Sequence, residues 1–218
     1  MALAALLTAA TGMAAAATAA PDFGSISELA SRVDHRYNSL KTLQAHFVEI
    51  YSEGNQNRTE SGTLYLSKPG RMRWQYEQPQ QKLFLVDGHH VWLYVSGDQQ
   101  AQRSDLKSSD DLKTPLRFLL GHTHLKKELG GLSYGGLNPL HAGDAVIRGV
   151  PTRMTNEYRE VILEVTPDYQ IDRIVIRGVD GSQTDIRLSA MQPNAPIAER
   201  LFHFSVPKGV TVVAGTAQ

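Results

Sequence analysis

Between Leu43 and Val95 the apolar residues of this sequence recur every second position, in short runs separated by turn-sized gaps. Leu43, Ala45 and Phe47 alternate with Gln44, His46 and Val48. Leu64 and Leu66 lie on one side of the next run. Met72, Trp74 and Tyr76 alternate with Arg71, Arg73 and Gln75, and the runs Leu83–Val86 and Val91–Val95 follow. Period two is the signature of strands, whose side chains point alternately to opposite faces. The gaps hold Gly54-Asn55-Gln56-Asn57, Lys68-Pro69-Gly70 and Asp87-Gly88, which are turn residues. None is long enough for the crossover that joins parallel strands, so the strands must form an antiparallel meander.

Helical spacing appears ahead of this meander. Ser25-Ile26-Ser27-Glu28 has the S-x-x-E form of a capping box. Ile26, Leu29, Ala30, Val33, Tyr37 and Leu40 then recur at three and four residues, which predicts one amphipathic helix ending near Ser39. A second helix is predicted in mid-chain, where Thr114 can cap, Pro115 suits the first position and Gly121 the end. Leu112, Leu116, Leu119 and Leu120 form its apolar stripe. Residues 122–143 are rich in Gly and His and read as loop with some strand. Strand patterns return at Glu160–Thr166, Ile171–Gly178 and Thr184–Met191, and Phe202, Phe204 and Val206 close the pattern. The expected class is α+β: a single curved antiparallel sheet with both helices on one face.

Composition narrows the function. With 22 basic and 22 acidic residues, the net charge gives no pull toward nucleic acid or an anionic membrane. Cysteine is absent, which excludes disulfides, thiolate metal sites and a cysteine nucleophile. Residues 1–19 are uncharged, run from an apolar stretch into Ala17-Thr18-Ala19, and read as a removed signal peptide. Residues 20–218 are then a single exported domain.

Catalytic and metal signals are weak. Gly131-Leu132-Ser133-Tyr134-Gly135 matches G-x-S-x-G, but a nucleophile elbow needs a buried strand before it and a helix after it, and the flanking residues supply neither. His141 or His203 with Asp144 could complete a triad, so a hydrolase resting on Ser133 stays open as an alternative. His89-His90 and His122-x-His124 have no nearby third ligand. The expectation is no catalytic residue, no metal and no cofactor.

The sequence resembles the LolA family of periplasmic lipoprotein carriers. The resembling pieces are Phe47-Val48-Glu49, Gly62-Thr63-Leu64-Tyr65-Leu66, Lys68-Pro69-Gly70-Arg71-Met72-Arg73-Trp74, Val86-Asp87-Gly88 and Val91-Trp92-Leu93-Tyr94. Thr114-Pro115 with Leu119-Leu120 follow, and Phe202–Val210 resembles the family's closing strand. The resemblance implies an unclosed β-barrel with a helical lid over a cavity for lipoprotein acyl chains. It implies loading by the inner-membrane ABC transporter LolCDE, delivery to the outer-membrane receptor LolB, a periplasmic location and a monomer. LolB is lipid-anchored through cysteine, which this chain lacks.

The residues expected to line the cavity are Phe47, Leu64, Leu66, Met72, Trp74, Tyr76, Trp92 and Tyr94. Those expected at the lid are Lys68, Leu112, Pro115, Leu116, Leu119 and Leu120. Lys68 stands where the family has a lid-gating arginine, and one rotating ammonium replaces a planar fork of five donors. Met72 stands where the family has an aromatic residue, Trp74 matches the family's tryptophan, and Phe47-x-Glu49 replaces Phe-x-Gln. Two further alternatives keep the fold: a carrier of another lipid or glycolipid, and a regulatory sensor that binds a membrane-anchored anti-sigma factor.

Overall fold

A computed structural model describes residues 22–106, 119 and 124–215. Helix α1 spans Ile26–Ser39, and its capping box is formed: Glu28 N–H donates to Ser25 Oγ at 3.3 Å, and Ser25 N–H to Glu28 Oε2 at 2.8 Å. The predicted apolar stripe is the buried one, Leu29, Ala30, Val33 and Tyr37.

Among the described residues twelve strands follow in one sheet. They are β1 (Thr42–Glu53), β2 (Gln56–Ser67), β3 (Arg71–Gln78), β4 (Lys82–Val86), β5 (His90–Val95), β6 (Gln100–Asp105), β7 (Leu129–Tyr134), β8 (Ala145–Pro151), β9 (Tyr158–Val165), β10 (Ile171–Gly178), β11 (Gln183–Pro193) and β12 (Thr211–Ala214). A four-residue helix α2, Leu125–Glu128, precedes β7. The spatial order is β12-β6-β5-β4-β3-β2-β1-β11-β10-β9-β8-β7. Two meanders, β1–β6 and β7–β11, are therefore joined where β1 pairs with β11. Among the described residues β7 pairs only with β8, and β12 only with β6, so the sheet is not closed.

Flat, twelve strands would be about 58 Å wide, while one helix is about 10–12 Å across. Yet inner-face residues from Val91 of β5 to Leu129 of β7 belong to one buried cluster with α1, Leu119 and Leu125. So few covering residues can shield so wide a face only if the sheet curls around them. Gly62 shows how tight the curl is at β2. A Cβ there would lie 1.9 Å from the Gln75 carbonyl oxygen, beside the register shift between Ser61 and Gly62.

Three expectations need correction. The segment Phe202–Val210 is not a strand: Glu199–Phe202 is a single 3₁₀ turn, and the last strand is β12, which runs parallel to β6. The strand expected somewhere within residues 122–143 is the edge strand β7, irregular between Gly130 and Ser133, and β8 is present where no strand was predicted. Lastly, β4 and β5 are apolar on both faces, so the reading that placed Trp92 and Tyr94 inside fails. The ladder pairs Leu85 with Trp92 and Leu83 with Tyr94, while Phe84 and Val86 lie opposite Trp74 and Met72. Period two then fixes Trp92 and Tyr94 on the outer face.

Candidate functional site: the inner face of the sheet

The inner face is built from alternate residues of neighbouring strands. Phe47 on β1, Leu64 and Leu66 on β2, and Met72, Trp74 and Tyr76 on β3 are all buried in the central cluster. The Phe47 ring meets Trp74 edge-on at 4.8 Å between centroids and Tyr76 at 4.9 Å. Such edge-to-face pairs stabilise by about 0.5–1.5 kcal/mol beyond the area they bury. Six of the eight predicted lining residues are thus brought together.

Trp92 and Tyr94 form a separate outer cluster. Leu83, Leu85 and Phe202 are buried there, with Phe204 stacked at 5.2 Å from Trp92 and 5.5 Å from Tyr94. The Trp92 indole N–H donates to Asp87 Oδ2 at 3.1 Å. The segment carrying Phe202 and Phe204 is tied down by Arg73, whose guanidinium donates to the Leu201 carbonyl at 2.9 Å, and by an Arg71–Glu199 ion pair.

One end of the inner face is polar. Lys82 Nζ donates to Glu60 Oε1 and Oε2 at 3.0 and 2.8 Å, and lies 3.8 Å from the centre of the Tyr76 ring. The Tyr76 hydroxyl donates to Glu49 Oε2 at 3.0 Å. Burial pushes the Glu49 carboxyl above its usual range, and burial together with the Glu49 charge pushes the Tyr76 hydroxyl up. Beside this polar end opens a cleft of about 230 Å³, lined by Phe84, Val91 and Leu93 on its apolar side and by Tyr76, Lys82 and Gln102 on its polar side. That is below the roughly 300–1,000 Å³ of small-molecule sites.

Lys68 lies at the other end. Its ammonium donates to the Tyr37 carbonyl, which also accepts the Leu40 N–H at 3.3 Å, so it satisfies the C-terminus of α1. Burial pulls its pKa down to about 8. Of the other predicted lid residues, Leu112, Pro115, Leu116 and Leu120 lie outside the described residues. Leu119 is buried in the central cluster.

The weaker sequence signals also have addresses. Ser133 lies on edge strand β7, and its Oγ accepts a long hydrogen bond from Arg148 Nε at 3.4 Å. The strand leads into Gly135 and Gly136 rather than a helix, so the elbow geometry is missing. His90 Nδ1 lies 3.2 Å from Asp87 Oδ2, a partner within its own turn. His122 lies outside the described residues.

A site that sequence reasoning missed lies on the outer face of β9 and β10. There His141, Asp144, Glu164 and Asp172 place one ligand atom each within 4.8 Å of one another. The available signals were His141 with Asp144, weighed above only as members of a triad, and the charged Glu164 and Asp172 inside apolar strand runs.

Residues 38–205 match the family described as outer membrane lipoprotein carrier protein LolA. The chain belongs to the LolA family. The outer-membrane lipoprotein carrier protein of Cupriavidus taiwanensis is 30% identical over 170 residues, 71% of this chain and 71% of its own. That of Sodalis glossinidius is 26% identical over 200 residues, covering 91% of this chain and 92% of its own. Among solved structures, an uncharacterized conserved protein from Thermus thermophilus superposes with a TM-score of 0.55 at 14% identity. The match covers 87% of this chain and 98% of that one, and it speaks to the fold alone. This LolA-family chain thus has the open sheet, and a carrier role in the broad sense comes with the family. Among the described residues no helix is long and apolar enough to cross a membrane.

Proposed function

We propose that this chain is a periplasmic chaperone that shelters the acyl chains of lipoproteins between the inner face of its sheet and the helices that cover it. The observation that carries this reading is the joining of a continuous apolar inner face to a cleft of about 230 Å³ beside it. An acyl chain entering that cleft meets Phe84, Val91 and Leu93, and can continue toward Phe47, Leu64, Leu66, Met72 and Trp74 by displacing side chains that are held only by packing. Each methylene buried contributes about 0.8 kcal/mol, so a long tail needs no directional contact to bind.

In this reading residues 1–19 are a removed leader, 20–218 form the carrier domain, and the protein works as a monomer. The cargo arrives from an inner-membrane ABC transporter of the LolCDE kind and leaves to a receptor of the LolB kind. Residues Leu112, Pro115, Leu116, Leu119 and Leu120 serve as the lid. Lys68 acts on α1, by holding its C-terminal carbonyl. No covalent bond is made or broken, and no cofactor takes part.

The test is purification from the periplasm of a two-membraned bacterium, followed by mass spectrometry of the bound material. Triacylated lipoprotein in one-to-one amount is the expected result. Recovery of phospholipid or glycolipid alone would replace the cargo. A chain that carries nothing apolar under any condition of loading would overturn the reading.

A further inference from the structure

We propose that His141, Asp144, Glu164 and Asp172 form a binding site for one divalent first-row cation, Mn²⁺ or Zn²⁺, on the outer face of the sheet. This departs from the expectation that the chain holds no metal.

The four residues come from three separate places. Glu164 is on β9, Asp172 at the start of β10, and His141 and Asp144 on the loop that leads into β8. That loop is pinned across the two strands: the backbone N–H groups of Leu140 and His141 both donate to Glu164 Oε1. The opposite oxygen, Glu164 Oε2, is buried with no hydrogen-bond partner, and so are Asp144 Oδ2 and Asp172 Oδ1. These side chains are 2%, 5% and 10% exposed. Three buried acceptors without donors, converging within one ligand sphere, are uncommon, because each unmade hydrogen bond to a buried charge costs free energy.

The protein's own cations answer this need only in part. Arg173 approaches Glu164 Oε2 only to 3.7 Å, and its Nε and a terminal nitrogen are committed to Asp185 at 3.0 and 2.7 Å. His141 Nδ1 lies 3.1 Å from Asp172, 3.6 Å from Asp144 and 4.0 Å from Glu164. An imidazolium has a single proton on that nitrogen, so it can serve one carboxylate of the three. A proton shared between Asp144 and Asp172 would satisfy only that pair. A divalent ion takes all three at once and leaves neutral His141 as the fourth ligand.

The donor set also selects the ion. Carboxylates suit Mn²⁺, Mg²⁺ and Ca²⁺, whereas imidazole suits Zn²⁺ and its neighbours, so one imidazole with three carboxylates points to the overlap of the two groups. The bound ion would staple the loop around His141 to β9 and β10, away from the inner face.

The test uses the purified chain stripped with EDTA, titrated calorimetrically with Mn²⁺, Zn²⁺, Ca²⁺ and Mg²⁺, with Mn²⁺ binding also read by electron paramagnetic resonance. One Mn²⁺ or Zn²⁺ per chain is expected, with a melting temperature raised by about 5–10 °C when free ion exceeds Kd a hundredfold. Asp144→Asn and Asp172→Asn should each weaken binding by at least about tenfold. Asp144 is on the loop, so that variant folds even if changes within the strands do not. Stoichiometric binding that both substitutions weaken supports the site. The proposal is overturned if no ion binds at millimolar concentration, if Ca²⁺ or Mg²⁺ binds more tightly than Mn²⁺ and Zn²⁺, or if the affinity is unchanged in Asp144→Asn.

Discussion

The two faces of the sheet around β3, β4 and β5 are both apolar, but they are covered in different ways. The inner face packs as one continuous cluster under α1, with aromatic rings in contact. Helix α1 itself is tied by Lys68 to the Tyr37 carbonyl, by the Tyr37 hydroxyl to Ile171, by Arg32 to the Tyr169 hydroxyl at 2.9 Å and by an Arg36–Asp168 ion pair at 3.3 Å. The outer face carries a small cluster under the segment Glu199–Phe204, and there the cover is pinned by the guanidiniums of Arg71 and Arg73. Both covers carry polar pins, so what differs is the apolar body beneath them: a large continuous cluster inside and a cluster of three buried residues outside. The inner side, with the larger apolar surface and the cleft lined by Phe84, Val91 and Leu93 beside it, is the one suited to exchange.

The largest effect that can break this contrast is a truncation inside. Phe47→Ala should destabilise the fold by about 3–5 kcal/mol in chemical denaturation, because it removes a fully buried ring with two aromatic partners. A loss below about 1 kcal/mol would mean that the inner cluster is not what holds the sheet.

Alkaline pH probes the cover of the inner face. The Tyr37 hydroxyl donates to the Ile171 carbonyl and accepts the Ile171 N–H at 3.1 Å, and burial pushes its pKa to about 12. The unfolded chain releases that proton near pH 10 and the folded chain near 12, so the contribution is complete below 10 and is lost as pH rises from 10 to 12. Its size is about 2–3 kcal/mol. Denaturation curves of Tyr37→Phe should show a shallower alkaline decline than the parent. Identical slopes would remove Tyr37 as the tie between α1 and β10.

On the outer face smaller losses are expected. Phe204→Ala should cost about 1–2 kcal/mol, since its ring is only partly buried against Trp92 and Tyr94. Arg71→Ala should cost about 0–1 kcal/mol, because Glu199 is largely exposed. Limited proteolysis of these variants should release the segment Glu199–Phe204 and leave α1 protected. Cleavage in α1 instead would show that the two covers are coupled.

The legible parts of the fold follow from local chemistry. The capping box set the start of α1, the three- and four-residue spacing set its buried stripe, and Asp87-Gly88 made its turn, in which Asp87 accepts the His89 and His90 N–H groups. Strand parity assigned Phe47, Leu64, Met72 and Trp74 to the inside because most alternate positions of β1 to β3 are polar, Val48, Ile50 and Tyr65 excepted. The same rule failed at Trp92 and Tyr94, because β4 and β5 are apolar on both faces and nothing local says which face the helix covers. The segment after Phe202 was misread for a related reason: its apolar residues pack against a sheet face without joining a ladder. The acidic cluster was not legible because its members meet only after β8, β9 and β10 pair, far apart in sequence.

The central claim is that apolar cargo enters on the inner face alone. Site-specific photo-crosslinking in the periplasm tests it directly, with a benzophenone side chain placed at Leu66 or Phe84 and, in parallel chains, at Tyr65 or Trp92. The account predicts adducts with acylated protein from the first pair and none from the second. Adducts of equal yield from both faces, or from Tyr65 and Trp92 alone, would contradict it.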